Sequence, residues 1–198
     1  MKWMIASDLH GSAQYTEALL DAYAREGADR LILLGDLLNH GPRNGLPDGY
    51  DPIAAAAMLN ERKDEILCVR GNCDSEVDQM VLEFPILAEY ALLSVGERLL
   101  FLTHGHRFHT QNPPPLKAGD CLIHGHTHLC VCEPQNGYLY CNPGSVTFPK
   151  DGHRGYLLLD GASLHFKTLD GTAVHAVSLD ANEAPEPFAA GVKSNTIR

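Results

Sequence analysis

Along the first third of the chain, short wholly apolar runs alternate with longer stretches of mixed polarity. Residues 3–7, 31–34 and 66–69 have strand length and little polar interruption, the pattern of strands covered on both faces. Between the first two, Ser12 is placed to cap a helix whose apolar positions include Leu19, Leu20 and Tyr23, and Gly27 is placed to end it. A second helix is expected over 53–62, after a Gly/Pro-rich loop over 39–52. Strand, helix, strand, helix, strand predicts a parallel sheet, because crossover helices join parallel strands. From residue 88 the texture becomes mostly strand. A hairpin over 88–95 and 98–103 turns at Gly96-Glu97, and strands are expected at 121–124, 129–133, 138–142, 156–160 and 164–169. A second, β-rich sheet packed on the first gives an α/β fold class, a two-sheet sandwich flanked by helices. Residues 1–179 read as a single domain. The stretch 180–198 lacks periodicity and reads as a flexible C-terminal tail.

Composition narrows the function without naming it. The 198 residues are 44% hydrophobic and 20% charged, which fits a globular domain with a real core. A formal net charge of −10 disfavours tight non-specific binding to nucleic acid, which needs clustered Lys and Arg. It leaves room for a small anionic substrate wherever bound cations dominate the local field. No apolar run has the length of a membrane span, and too few apolar residues precede Asp8 for a secretory signal, so a cytoplasmic protein is expected. The six cysteines form no CxxC pair. Cys68, Cys121 and Cys141 sit in apolar runs and read as reduced core thiols. Cys130 and Cys132 share a strand face, which leaves a zinc pair as a minor alternative.

Five short motifs carry the chemistry: Asp8-Leu9-His10, Gly35-Asp36, Gly71-Asn72-Cys73-Asp74, His104-Gly105-His106 and Gly125-His126-Thr127-His128. Each follows an apolar, strand-like run. Parallel α/β sheets bind ligands at the carboxyl ends of their strands, so Asp8, Asp36 and Asn72 are expected to converge on one edge. Asp8 and His10 are two residues apart, which in extended backbone puts them on one side, roughly 6.5 Å apart. His126 and His128 repeat that spacing. Singly, each motif has a plain reading as a turn, a cap or a satisfied histidine. Together they read as a mixed oxygen/nitrogen metal site, suited to Mn, Fe, Zn or similar divalent ions.

The order and wording of these motifs resemble the calcineurin-like metallophosphoesterases over roughly residues 1–170. The small bacterial phosphodiesterases of that family are the nearest in wording, through Gly35-Asp36-Leu37-Leu38-Asn39-His40-Gly41-Pro42-Arg43, Arg70-Gly71-Asn72-Cys73-Asp74-Ser75 and Asn142-Pro143-Gly144-Ser145. The resemblance implies that family's two-sheet fold and two divalent metal ions, Mn foremost, with Zn, Fe or Mg as alternatives. It assigns Asp8, His10 and His128 to one ion, Asn72, His104 and His126 to the other, and Asp36 as the bridge. A hydroxide held between two such ions would attack a phosphodiester in line with its leaving group. The resemblance also implies a homodimer or homotetramer.

Cys73 stands where many relatives have histidine. A cysteine there, ionised near the metals, would repel an anion and favour small phosphodiesters, with their single charge, over monoesters. Asp74 is expected to orient this loop, and His40, Arg43 and His106 are candidate substrate contacts. His109, His124, His153, His165 and His175 read as structural or exposed. Two alternatives stand beside the phosphodiesterase. One is a phosphomonoesterase or nucleotide phosphatase using the same site. The other is a non-catalytic protein-binding scaffold, disfavoured because every expected ligand position is filled.

Overall fold

In the computed structural model, which describes residues 1–180 and 187–190, two six-stranded sheets face each other. The first third folds as its apolar pattern dictates. Strand β1 (Lys2–Ala6) runs parallel to β2 (Arg30–Leu33), and β2 runs parallel to β3 (Ile66–Cys68). Helix α1 (Ala13–Glu26) connects the first pair. Ser12 Oγ accepts from the Tyr15 N–H at 3.2 Å, and Gly27 closes the helix in the left-handed region. Helix α2 (Pro52–Asn60) starts on an Asp51 cap with proline in its first turn and ends two residues before the expected boundary.

The remaining strands are shared between the two sheets. β4 (Tyr90–Val95) and β5 (Arg98–Thr103) form the expected hairpin, and Gly96 supplies the positive φ its tight turn needs. β5, β6 (Cys121–His124) and β8 (Leu139–Pro143) are mutually parallel, and β7 (Cys130–Pro134) runs antiparallel to β8. β9 (Gly155–Asp160), β10 (Ser163–Thr168) and β11 (Ala173–Ser178) leave this group and add antiparallel strands to β1. The first sheet is therefore mixed, in the order β11-β10-β9-β1-β2-β3, and not the purely parallel layer expected. Nothing in a strand's own pattern says which of two sheets it will join.

Alternation along β1 shows how the layers cohere. Met4 and Ala6 face the helices, packing with Leu19, Ala22, Tyr23 and Leu59. Ile5 faces the other sheet and joins Ile32, Leu100, Leu102, Ile123 and Leu157 in the inter-sheet core. Cys121, Cys130, Cys132 and Cys141 are buried in that core as free thiols, and no candidate metal group among the described residues includes Cys130 or Cys132. The zinc-pair alternative has no support there.

Several elements escaped the sequence reading. Helix α3 (Glu76–Val81) buries no side chain and so leaves no periodicity, although its Ser75/Asp78 capping box was a visible signal. β11 is an edge strand with one buried residue, Val177. Of the stretch expected as a tail, residues 181–186 and 191–198 lie outside the described residues, while Phe188–Ala189 pairs with β7 as strand β12. No helix among the described residues is long and apolar enough to cross a membrane.

Candidate metal centre

All five motifs meet where β1, β2, β3, β5 and β6 end. The first two are joined through their backbones beyond the strands: the N–H groups of Asp8, His10 and Gly11 donate to the carbonyls of Gly35, Asp36 and Leu37 at 3.1, 2.9 and 2.8 Å. This zipper runs through unusual conformations. Among the described residues, the non-glycine positions with positive φ are Asp8, His10, Asp36, His126 and His128. Each such residue costs of order 1–3 kcal/mol and persists only where the surroundings enforce it. Backbone strain is thus confined to the residues singled out for metal binding. Two motif glycines serve close approach: a Cβ at Gly71 would collide with Asp36 Oδ1, and one at Gly125 with Ser7 Oγ.

The donor atoms converge in two overlapping sets. In the first, His128 Nε2 lies 3.1 Å from Asp8 Oδ1 and 3.3 Å from His10 Nε2, with His10 Nε2 3.6 Å from Asp8 Oδ1. In the second, His104 Nε2 lies 3.1 Å from Asn72 Oδ1 and 3.2 Å from His126 Nδ1. Asp36 Oδ2 stands between them, 3.8 Å from His10 Nε2 and 3.4 Å from His104 Nε2.

These contacts fit a pair of cations. The Nδ1 atoms of His10, His104 and His128 lie 2.9, 2.7 and 3.0 Å from the carbonyls of Asn39, Leu34 and Phe148. A carbonyl only accepts, so Nδ1 carries the proton and, in the neutral ring, each Nε2 turns a lone pair toward the centre. Asp8 Oδ1 is fully buried without a hydrogen-bond partner, and the Nε2 atoms of His10 and His128 lie beside it. An orphaned buried carboxylate oxygen facing convergent lone pairs is the pattern a divalent ion completes.

Without an ion, protons must do that work. Burial opposes charge on Asp8, yet His10 and His128 beside it, with His104, hold its carboxyl well below the usual range. Burial likewise opposes charge on Asp36, but His104 keeps its carboxyl low. Burial also opposes protonation of His104, but Asp36 and Asp8 outweigh it and lift the imidazole to about 9. His10 is raised against its burial by Asp8 and Asp36. Burial, then the neighbouring His104, lowers His126 to about 4.

The residues around this centre divide clearly. Asp74, 2% exposed, accepts from the N–H groups of Leu37, Asp36 and Gly71 at 2.8, 2.8 and 2.7 Å, so it shapes the Asp36 turn and does not face the open basin. Cys73 does face the basin. Its N–H donates to Asp36 Oδ1 at 2.8 Å, and its Sγ accepts from Asn72 Nδ2 at 3.2 Å. In the metal-free protein burial, then the charge of Asp36, pushes the Cys73 thiol up to about 12. Arg43 lines the basin; His40 instead packs edge-on against Tyr50, ring centroids 5.3 Å apart. His106 lies beside His104 and His126, at centroid distances of 5.5 and 6.4 Å, and is not among the basin-lining residues.

Sequence reasoning missed the support beneath the first motif. Ser145 Oγ donates to the Asp8 carbonyl at 3.0 Å, and Thr147 Oγ1 to the Leu9 carbonyl at 2.7 Å. Asn142 Nδ2 donates to the Gly125 carbonyl and Thr127 Oγ1, both at 2.9 Å. Arg154 holds the same loop through the Val146 and Thr147 carbonyls, with its guanidinium 3.9 Å over the Tyr15 ring. The Asn-Pro-Gly-Ser wording was the available signal; Arg154 had none.

Comparison with known proteins agrees with this arrangement. Residues 1–163 match the model of the calcineurin-like phosphoesterase superfamily domain. The chain is 49% identical to phosphodiesterase YfcE of Escherichia coli over 177 residues, 89% of this chain and 96% of that one. It is 31% identical to the probable metallophosphoesterase YsnB of Bacillus subtilis over 158 residues, 76% and 78% of the two chains. The solved structure of the E. coli phosphoesterase YfcE superposes with a TM-score of 0.87 at 47% identity, covering 91% of this chain and all of that one.

Proposed function

The chain belongs to the calcineurin-like phosphoesterase superfamily, and from that premise we propose that it is a phosphodiesterase acting on small phosphodiesters with two divalent metal ions, Mn foremost. Asp8, His10 and His128 would hold one ion, Asn72, His104 and His126 the other, and Asp36 would serve both. The observation that carries this reading is Asp36 Oδ2 standing between the Nε2 atoms of His10 and His104. When bound, such ions supply charge neutralisation at the phosphate and a lowered pKa for water, toward ~7.

The chain's own groups do the rest. The Cys73 N–H fixes Asp36 Oδ1 and Asp74 fixes the backbone turn of Asp36, which leaves Oδ2 facing the imidazoles and limits reorganisation of the carboxylate. The carbonyls of Asn39, Leu34 and Phe148 hold three imidazoles in one tautomer. Arg43, on the basin wall, would meet an anionic group of the substrate. At Cys73 the neutral thiol neither donates a strong proton nor carries positive charge, so the second anionic oxygen of a monoester finds no partner there. That absence supports diesters over monoesters. Six free cysteines fit a reducing compartment such as the cytoplasm.

Metal-stripped protein reloaded with Mn²⁺, Zn²⁺, Fe²⁺ or Mg²⁺ should hydrolyse bis(p-nitrophenyl) phosphate faster than p-nitrophenyl phosphate. Turnover with none of the metals, while ions are bound, would sink the enzyme reading in favour of a scaffold. Cys73→His should raise the monoester-to-diester ratio; an unchanged ratio removes Cys73 from the specificity argument.

A further inference from the structure

We propose that the basin beside the metal centre holds a second anion subsite, formed by Lys150 and Arg43, for a phosphate group other than the one cleaved. The inference rests on the phosphodiesterase reading and narrows its substrate class to diesters carrying an additional phosphate, of nucleotide size.

The basin has a volume of about 860 Å³, far more than one phosphate fills and within the span of pockets that enclose whole small ligands. Its wall charges are unexpected for this chain. Acidic residues outnumber basic ones 25 to 15, yet among the described residues the only carboxylate lining the basin is Asp36, which faces imidazoles. The two full cations of the wall are Arg43, from loop 39–52, and Lys150, beyond β8. Neither forms an ion pair among the described residues.

Lys150 is also held in place. Its N–H donates to the His128 carbonyl at 2.9 Å, and its Nζ to the Thr127 carbonyl at 2.9 Å. The ammonium is thereby fixed over the turn that carries His126 and His128, with two of its three donors unused. A lysine already ordered by a carbonyl loses less freedom on meeting an anion than one that sweeps solvent. Leu129, 40% exposed, lines the same basin and offers an apolar surface suited to a nucleobase or aryl ring. The metal centre absorbs the single charge of a diester; unpaired cations on the basin wall have an anionic partner only if the substrate brings another charge.

A matched pair of substrates tests this. Thymidine 5′-(p-nitrophenyl phosphate) and its 3′-phosphorylated counterpart share one scissile bond and differ by one phosphate. With Mn²⁺-loaded protein, the 3′-phosphate should raise kcat/KM by about tenfold or more, mostly through KM, as charge-assisted hydrogen bonds to one anion would. In Lys150→Ala and Arg43→Ala the ratio between the two substrates should fall toward one, whatever the absolute rate of either variant. A ratio near one in the unaltered protein, or a ratio neither variant changes, overturns the subsite. Calorimetric titration with thymidine 3′,5′-bisphosphate and thymidine 5′-monophosphate reads the same preference without turnover. If neither diester is cleaved, the phosphodiesterase reading fails by itself, and the affinity ratio still decides the subsite: a preference lost in the variants supports it, and equal affinities overturn it.

Discussion

Asp8, His10 and His128, on one side of the centre, are 0%, 1% and 8% exposed, whereas on the other side only His104 is buried so deeply, with Asn72 exposed and His126 half-buried. The first side is closed by the zipper to the Gly35-Asp36 turn and by the Ser145 loop; the second opens onto the basin. The first also holds a carboxylate of its own besides the shared Asp36, while the second adds only neutral donors. An ion in the closed side meets two negative charges in a low-dielectric setting and is expected to be held tightly. An ion in the open side is expected to exchange more readily and to be the one that meets substrate.

The largest effect should come from removing what both sides share. Asp36→Asn is expected to lower diester hydrolysis by about a thousandfold and to reduce bound metal from two ions per chain to one or none, by elemental analysis. Near-normal activity would dissolve the comparison altogether. Next, the two sides should respond unequally. Asp8→Asn should weaken the tighter binding event by about a hundredfold or more, while Asn72→Ala should affect the weaker event and leave the tighter one near its original value. Equal effects in calorimetry would mean that burial does not rank the two positions.

The pH behaviour of the metal-free protein separates the donors in another way. His104, raised from 6.5 to about 9, contributes stability that is fully present below pH 6.5 and is lost as pH rises through about 9. His10 acts in the same direction. His126 and the buried His124 have the opposite sign. Burial leads in lowering each from 6.5 to about 4, so unfolding takes up protons between those values and stability falls as pH drops from 6.5 toward 4. Thermal unfolding of metal-free protein should therefore peak near pH 6.5 and decline on both sides. Metal loading should release protons between about pH 6.5 and 9, seen as a buffer-dependent enthalpy. A flat profile would refute these assignments.

The smallest effect is expected at the support of the closed side. Ser145→Ala leaves the Asp8 carbonyl without that donor and should cost about 1–2 kcal/mol of stability, with a modest loss of affinity for the tighter ion. A larger effect on the weaker ion would place the support on the wrong side.

Much of the site was legible because its residues lie at the ends of the most readable elements. Apolar runs at 3–7, 31–34 and 121–124 mark strands by composition alone, and Asp8, Asp36 and His126 follow within two residues. The functional glycines were legible as turns, but their reason was not: Gly71 and Gly125 are small because Asp36 and Ser7 come from elsewhere in the chain to lie against them. Thr147 and Lys150 have no local signature, since each acts on a carbonyl set in place by another segment. His40, a substrate candidate from its position beside Arg43, packs edge-on against Tyr50 and is not among the basin-lining residues, a contact its own segment does not announce.

By itself the sequence determined which residue types end the strands, because local apolar pattern and turn chemistry are short-range properties. It also placed candidate oxygen and nitrogen donors at those strand ends. Only the tertiary structure decided that β9, β10 and β11 return to the first sheet and that five non-glycine residues take left-handed conformations. It alone made one side of the centre closed and the other open. Those outcomes depend on contacts between segments more than a hundred residues apart, such as Ser145 with Asp8, and such contacts leave no trace in the pattern of either segment.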